Sequence, residues 1–407
     1  MLKHWIWLTT RPGIGVHGRV ALLRMFGTAE HIYELKERDY LETENFDRRW
    51  LEGLLDKSLA GAEKILNVCD DKGISLLTYA DRAYPARLRN IPDPPALLYY
   101  RGMLPDFDNE ATIGVVGSRR CSAYGLLQAK QFGKLIAASG GIVISGGARG
   151  IDSMALRGAL DSENPVVCVL GCGADVVYPP ENRELFRQIT SRGCILSEYQ
   201  PGTRPNPGNF PVRNRIISGL SLGILVVEAP EKSGALITAN LALEQGRDVF
   251  AIPGNLGVKS CEGSNHLIRD GAIVVENGWD VLREYEQMFP GKLSDGRSRE
   301  AMERSFMVRF GRPAPVYTPV VVEEPVDKKV VDNPEDRNYS DVKEIKPALT
   351  DDEATVYEAL TPEAVLADEL VVKTGLPAQR VAAALTMLQI KKLALKEAGN
   401  RCRALGK

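Results

Sequence analysis

The sequence has 407 residues, of which 44% are hydrophobic and 26% charged. This globular balance excludes a disordered chain or a low-complexity fibre and leaves room for about two to four domains. A net charge of −2 excludes a polybasic protein that holds nucleic acid by bulk charge, while leaving a local basic patch open. The seven cysteines form no C-x-x-C pair and, with four histidines, offer no zinc-ligand spacing, so a reducing compartment and no bound metal are expected. The start, MLKHWIWLTTRPG, is too briefly apolar for a secretory signal, and no run reaches the roughly eighteen apolar residues of a membrane span. The chain reads as soluble and cytoplasmic.

Residues 1 to about 70 read as helical, with Leu22, Leu23 and Phe26 at helical spacing after a Pro12-Gly13-Ile14-Gly15 turn. That turn fits the hairpin of a helix-hairpin-helix module, in which glycines let backbone amides approach a phosphate. It equally fits a sharp turn between two packed helices. From 71 to about 290, short apolar runs alternate with helical stretches: ATIGVVG, GIVISGG, VVCVLG, CILSE, GILVVEA and DVFAIPG. Runs that are apolar throughout, rather than alternating, belong to a parallel sheet covered on both faces, so this part is expected to be an α/β, Rossmann-like doubly wound domain. Residues 291–347, interrupted by prolines and charge clusters, read as a linker. In 348–407 a capping box at Thr350 to Glu353 starts one helix, Thr361-Pro362 is expected to start a second, and a third from about Pro377 carries Val381, Ala384, Leu385 and Leu388 on one face. Two short strands around Gly399-Asn400 complete a winged-helix-like pattern.

In an open parallel sheet, ligands bind beyond the carboxyl ends of the strands. This sequence gathers its unusual residues there. Gly117-Ser118-Arg119-Arg120 follows the first run, Gly146-Gly147-Ala148-Arg149-Gly150 with Asp152 the second, and Gly171-Cys172-Gly173 the third. Glu198 ends the fourth run, Glu228 the fifth, with Lys232-Ser233-Gly234 following, and Pro253-Gly254 ends the sixth. Any one glycine loop is also a tight strand-to-helix turn. Three on one edge, two with arginines, favour anion binding by bare amides and bidentate guanidinium groups. Asn209-Phe210-Pro211-Val212-Arg213-Asn214-Arg215 adds two arginines and a ring, a combination suited to single-stranded nucleic acid, since cations follow the backbone while the ring stacks a base. The alternative makes Phe210 core and the arginines surface ion pairs. No histidine lies in a glycine loop, and G-x-G-x-x-G is missing after the first run, so a Ser-His-Asp site and a dinucleotide cofactor are not expected. Glu198 and Glu228 are expected to pair with arginines and hold them in place.

The stretches VVGSRRCSAYG, SGGARGIDSMA, LGCGADVVYPPEN, SEYQPGTRPNPGNFPVRNRIISG, LVVEAPEKSGALITA, GRDVFAIPG and GSNHLIRDGA run in order through residues 113–272 and resemble the DprA/Smf family. The resemblance implies a cytoplasmic protein without catalysis or cofactor that binds single-stranded DNA and loads a RecA-type recombinase in natural transformation and homologous recombination. It also implies a homodimer formed through the Rossmann-like domain, an N-terminal SAM/helix-hairpin-helix-like domain and a C-terminal winged-helix-like domain. Carried over by motif, the residues expected to bind phosphate and DNA are Gly117, Ser118, Arg119, Gly146, Gly147, Arg149, Phe210, Arg213, Asn214, Arg215 and Lys232. Where family members often have Ala-His after GID-x-x, this chain has Ala155-Leu156. Two other functions fit less well. A nucleotide phosphoribohydrolase of the LOG type would need P-G-G-x-G-T-x-x-E, and the nearest stretch, Ser233 to Asn240, has no glutamate until Glu244. A protein-docking scaffold would use the C-terminal module, whose Arg380, Gln389, Lys391 and Lys392 could face a groove.

Overall fold

The computed structural model describes residues 1–296 and, beyond them, 350–361, 365–377, 380–381, 384–385, 388, 393–397 and 401–404. From residue 297 onward the expected linker lies outside the described residues. The chain divides into two compact units, Met1–Pro315 and Val316–Lys407.

The first unit opens with helices Leu2–Thr9 and Val16–Phe26, joined by the Pro12 to Gly15 turn, where Gly13 takes φ +75°. A β-carbon disfavours that left-handed backbone, so glycine suits the position. Trp5, Ile6, Trp7 and Leu8 of the first helix are buried, and the apolar cluster they belong to continues into Leu97, Tyr99, Ile113 and Val115 of the sheet. The N-terminal helices therefore share a core with the domain that follows.

The sheet has nine strands: β1 (Ser75–Thr78), β2 (Leu97–Gly102), β3 (Thr112–Val116), β4 (Ile142–Ser145), β5 (Val166–Leu170), β6 (Cys194–Ser197), β7 (Gly223–Val226), β8 (Asp248–Ala251) and β9 (Ile273–Val274). Their order is β1-β2-β6-β5-β4-β3-β7-β8-β9. All neighbours from β6 to β9 are parallel, while β1 and β2 add an antiparallel extension beside β6. The six apolar runs of the sequence are β3 to β8. Every residue of β3, β4 and β5 is buried, as a strand covered on both faces requires. Ile113 and Val115 of β3 face one apolar cluster and Val116 the other.

On one face, helices Ala123–Ala138 and Ile151–Leu160 pack side by side. On the other, Asn209–Leu220 packs on Gly234–Glu244. The strand order reverses between β3 and β7: β3 leads through Ala123–Ala138 to β4 on one side, β7 through Gly234–Glu244 to β8 on the other. Their loops splay apart and open a crevice at the carboxyl ends.

In the second unit, Thr350 caps the helix Asp351–Ala359, its hydroxyl accepting from Glu353 N while the Glu353 carboxylate accepts from Thr350 N. Pro362, at which the sequence suggested the start of the second helix, lies outside the described residues. Leu360 is extended, Thr361 accepts a hydrogen bond from Ala404 N at 2.9 Å, and a strand β10 (Val365–Leu366) precedes the helix Ala367–Thr374. A residue before proline is pushed toward extended backbone, and the sheet takes that backbone up. Strand β10 pairs with β12 (Arg401–Ala404), which pairs with β11 (Ala394–Glu397), all antiparallel. Val381, Ala384, Leu385 and Leu388 are helical and buried with Val356 and Leu370, giving the helices and wing of a winged helix.

Candidate nucleic-acid interface

The crevice is an open groove of about 780 Å³, bordered by the loops after β3, β4, β5, β7 and β8 and by the first turns of Asn209–Leu220. A smaller pocket of about 60 Å³ adjoins it beside Gly146, Arg149 and Gly171. Of the residues singled out in the sequence, Gly117, Ser118, Arg119, Phe210, Arg213, Asn214 and Lys232 line the groove, while Gly146 and Arg149 line the adjoining pocket. Gly147 and Arg215 line neither.

Phe210 stands at the centre of the cluster. Half-buried, its ring stacks on Tyr178 with centroids 5.7 Å apart and planes 25° apart, and the guanidinium carbons of Arg119 and Arg213 lie 5.1 and 6.0 Å from its centroid. Arg119 is exposed and, like its exposed neighbour Arg120, has no carboxylate partner among the described residues. Lys232 across the groove and Lys259 after β8 share that state. Four cations thus face open solvent without local neutralisation, the arrangement that raises the local concentration of a polyanion.

Arg213 is built differently. It is 4% exposed, and its Nη1 donates to the carbonyls of Gly146 (2.8 Å) and Val169. Burial pulls its pKa below the ordinary arginine value, with the carboxylate of Asp152 acting the other way. Asp152, 7% exposed, is itself pushed up by burial, opposed chiefly by Arg213, and accepts from Ala148 N at 3.3 Å. It is the one carboxylate among the described groove-lining residues. The pair forms a floor rather than a free cationic finger. Gly146 serves this floor, since a β-carbon there would strike the Arg213 guanidinium at 2.5 Å.

The backbone around the first loop is committed to packing. Ser118 N donates to the Glu228 carbonyl at 2.7 Å, and Ser118 Oγ accepts from Arg120 N at 3.1 Å. A side chain at Gly117 would collide with Ile151. Asn214 Oδ1 accepts from Arg213 Nε at 3.2 Å, and its Nδ2 donates to Gly234 O at 3.4 Å. Gly147 takes φ +65° and accepts from Asn182 Nδ2 at 3.0 Å, holding the β4 loop against the turn before Arg183–Arg192. Arg149 is exposed but paired through Nε with Glu181.

Two expectations about charge meet different outcomes. Glu198 does hold an arginine: Arg215 Nη2 donates to both its oxygens at 2.8 Å, with the two side chains 8% and 7% exposed. Arg215 is consequently neutralised inside the protein, away from the groove. Glu228 pairs with no arginine. Its oxygens accept from Ser122 N (2.9 Å) and Ser122 Oγ (2.5 Å), so it braces the cap of Ala123–Ala138 from the end of β7. Neither glutamate is placed to act as an acid or base on a groove-bound molecule. No cluster of three or more His, Cys, Asp or Glu suited to a metal occurs among the described residues.

Arg120, Tyr178 and Lys259 line the groove and were not singled out as binding residues. Arg120 is the second of the twin arginines after β3, and Lys259 lies in the loop after β8, so the strand-end rule alone points to both. The burial pattern of the sequence gives no sign that Tyr178 stacks on Phe210.

Known proteins share this organisation. Residues 75–286 match the family described as DNA recombination-mediator protein A, and residues 343–400 match the DprA winged helix domain. The chain is similar to Protein Smf of Synechocystis, with 32% identity over 402 residues, 98% of this chain and 97% of that protein. It is 45% identical over 208 residues to the DNA processing protein DprA of Streptococcus pneumoniae, covering 51% of this chain and 72% of that one. The X-ray structure of DNA processing protein A from Streptococcus pneumoniae superposes with a TM-score of 0.62 at 34% identity, covering 70% of this chain and 98% of that chain.

Proposed function

The chain belongs to the DNA recombination-mediator protein A family, and on that footing we propose that its groove holds a single DNA strand, with phosphates along Arg119, Arg120, Lys232 and Lys259 and a base against Phe210. The observation that carries this reading is the combination in one open groove of four cations without carboxylate partners and a half-exposed aromatic ring. Duplex DNA keeps its base faces stacked away from a ring of this kind, whereas an unpaired strand offers them. Arg213 and Asp152 set the groove floor, and Arg149 joins the path when the strand's phosphate displaces Glu181. Gly147 and Arg215 act by positioning the loops, not by contact.

The same reading assigns the protein no catalysis. It delivers the bound strand to a RecA-type recombinase, acts as a homodimer in the cytoplasm, and serves DNA uptake and homologous recombination. A nucleotide hydrolase is disfavoured by Glu228, whose carboxylate is occupied by Ser122. The deciding experiment is affinity for single-stranded against duplex oligonucleotides across a salt series. Tight single-strand binding with log K falling at a slope of about −0.7 per phosphate contacted is expected. Equal affinity for the two forms, or no salt dependence, would overturn it. Recombinase loading is tested separately, by the rate of filament nucleation with and without the protein.

A further inference from the structure

A second cavity, of about 330 Å³, lies further along the same sheet rim, between the N-terminal helices and the end of β6. Its walls include Arg19 from the helix Val16–Phe26, Tyr99 of β2, and Glu198 and Tyr199 after β6. Its size is at the lower end of small-molecule sites.

The groups in it are unbalanced. Arg19 has no carboxylate partner among the described residues, and its buried Nε makes no hydrogen bond. Burial pulls its pKa below the ordinary arginine value, with the carboxylate of Glu198 acting the other way. Glu198, the one carboxylate on the wall, is taken by Arg215, so the three charged groups sum to one positive charge. Tyr99, 1% exposed, brings a hydroxyl with no hydrogen-bond partner in the structure. Thr9 on the wall beside it donates its own proton to the carbonyls of Trp5 and Ile6 at 3.1 and 3.0 Å, which leaves its oxygen as a neighbouring acceptor for the phenol. Val16, in the first turn of the Arg19 helix, also lines the cavity, and that helix starts at Gly15 with no side-chain cap, so its first amides add partial positive charge. A half-buried guanidinium whose Nε lacks an acceptor and a buried phenol with the Thr9 oxygen beside it, next to an uncapped helix start, are complementary to one small oxyanion.

We infer that this cavity is a binding site for a phosphate monoester of mononucleotide size, held by Arg19 and the Tyr99 hydroxyl. The ester has two sources, a free nucleotide or the phosphorylated end of a DNA strand; only the second rests on the single-strand reading of the groove. Both the groove and the cavity border the helix Asn209–Leu220, through Phe210 and Val212 respectively, so a strand leaving the groove across Pro211 reaches the cavity.

The test titrates the full chain with inorganic phosphate and deoxyadenosine monophosphate, and compares 5′-phosphorylated with 5′-hydroxyl oligothymidylate. Arg19→Gln is expected to weaken phosphate-ester binding by about tenfold and Tyr99→Phe by about fivefold, the effects of a charged and a neutral hydrogen bond. Arg119→Ala, in the groove, should leave the part of mononucleotide binding that Arg19→Gln removes unchanged. A preference for the 5′-phosphorylated strand that disappears in Arg19→Gln identifies a strand end; mononucleotide binding without such a preference identifies a free nucleotide. Absence of both, or binding that survives Arg19→Gln and is lost in Arg119→Ala, overturns the site and leaves the groove reading standing. Tyr99→Phe removes a single oxygen and keeps the test valid if Arg19→Gln destabilises the fold.

Discussion

Arg119 and Arg213 look equivalent in the sequence and are opposites in the structure, which makes their substitution separable. Arg119→Ala removes an exposed cation and should leave thermal stability unchanged, while weakening single-strand affinity severalfold and reducing the salt slope by about 0.7. Arg213→Ala leaves two carbonyl acceptors inside the protein without their donor, a loss of about 1–3 kcal/mol for each, and removes the cation that opposes the burial of Asp152. It should therefore lower the melting temperature sharply before any binding is measured. A variant set in which both substitutions weaken DNA binding at equal stability would contradict this division. The distinction was partly legible: residues 213 and 215 on one helix point about 200° apart at 100° per residue, so both cannot enter one groove. That Arg215 is the one turned away depends on Glu198, 17 residues distant, and no local pattern supplies it. Thiol chemistry follows burial in the same way. Cys121 is the one cysteine that is not buried, and burial pushes its pKa above the ordinary thiol value; Cys172 is pushed up to about 11 by burial despite the pull of Arg213. Because the thiolate is the nucleophile, labelling should be slow at pH 7 and rise with pH toward the raised pKa. In the native chain Cys121 is expected to react first, the other six following only on unfolding, as a thiol count with and without denaturant would show.

At the level of elements, the parallel strands were readable because their signal is composition alone. A strand buried on both faces is apolar at nearly every position, and β3 to β7 are such runs, while β8 is so after its exposed Asp248. The antiparallel pair was not, because β1 and β2 have partly exposed residues and no glycine loop follows them. β10 was missed for a related reason, since two residues carry no periodicity of their own until a pairing partner is known. The close packing of Ala123–Ala138 on Ile151–Leu160 is likewise invisible in either helix alone. Gly133 sits against the Ala155 carbonyl and Gly158 against the Lys130 carbonyl, so each helix supplies one glycine to the other's backbone. Helix interiors disfavour glycine by about 1 kcal/mol relative to alanine, so at an open position Gly→Ala would stabilise. Here the added methyl has only backbone to displace. Gly158→Ala is expected to reverse the sign and destabilise by about 1–3 kcal/mol, read as a lower denaturation midpoint with unchanged slope. Gly61, with open space around its would-be β-carbon in the helix Ala60–Asp71, is the matched control and should gain stability as alanine.

For the whole molecule, a net charge of −2 means that affinity for a polyanion comes from placement, and the groove that gathers the four described cations lies in the first unit. The sheet edge, rather than the groove, then bears on assembly. β9 pairs with β8 on one side only, and both its residues are exposed, Ile273 at 38% and Val274 at 47%. An edge strand with apolar side chains and free backbone groups is a template for pairing with another chain. In the helix Glu262–Arg269 that precedes β9, the partly buried Leu267 packs onto the sheet's second apolar cluster. The homodimer proposed above is thus expected to use β9. Val274→Lys places a charge on that edge without touching the core or the groove, and should shift sedimentation of the full chain from dimer to monomer while preserving its melting curve. Because each protomer holds a complete groove, short oligonucleotides should bind the variant as tightly as before, and only strands long enough to cross two grooves should bind more weakly, through the lost second attachment. A variant that stays dimeric would remove β9 from the interface; one that turns monomeric yet loses affinity for short strands would mean that the groove itself is completed by the second copy.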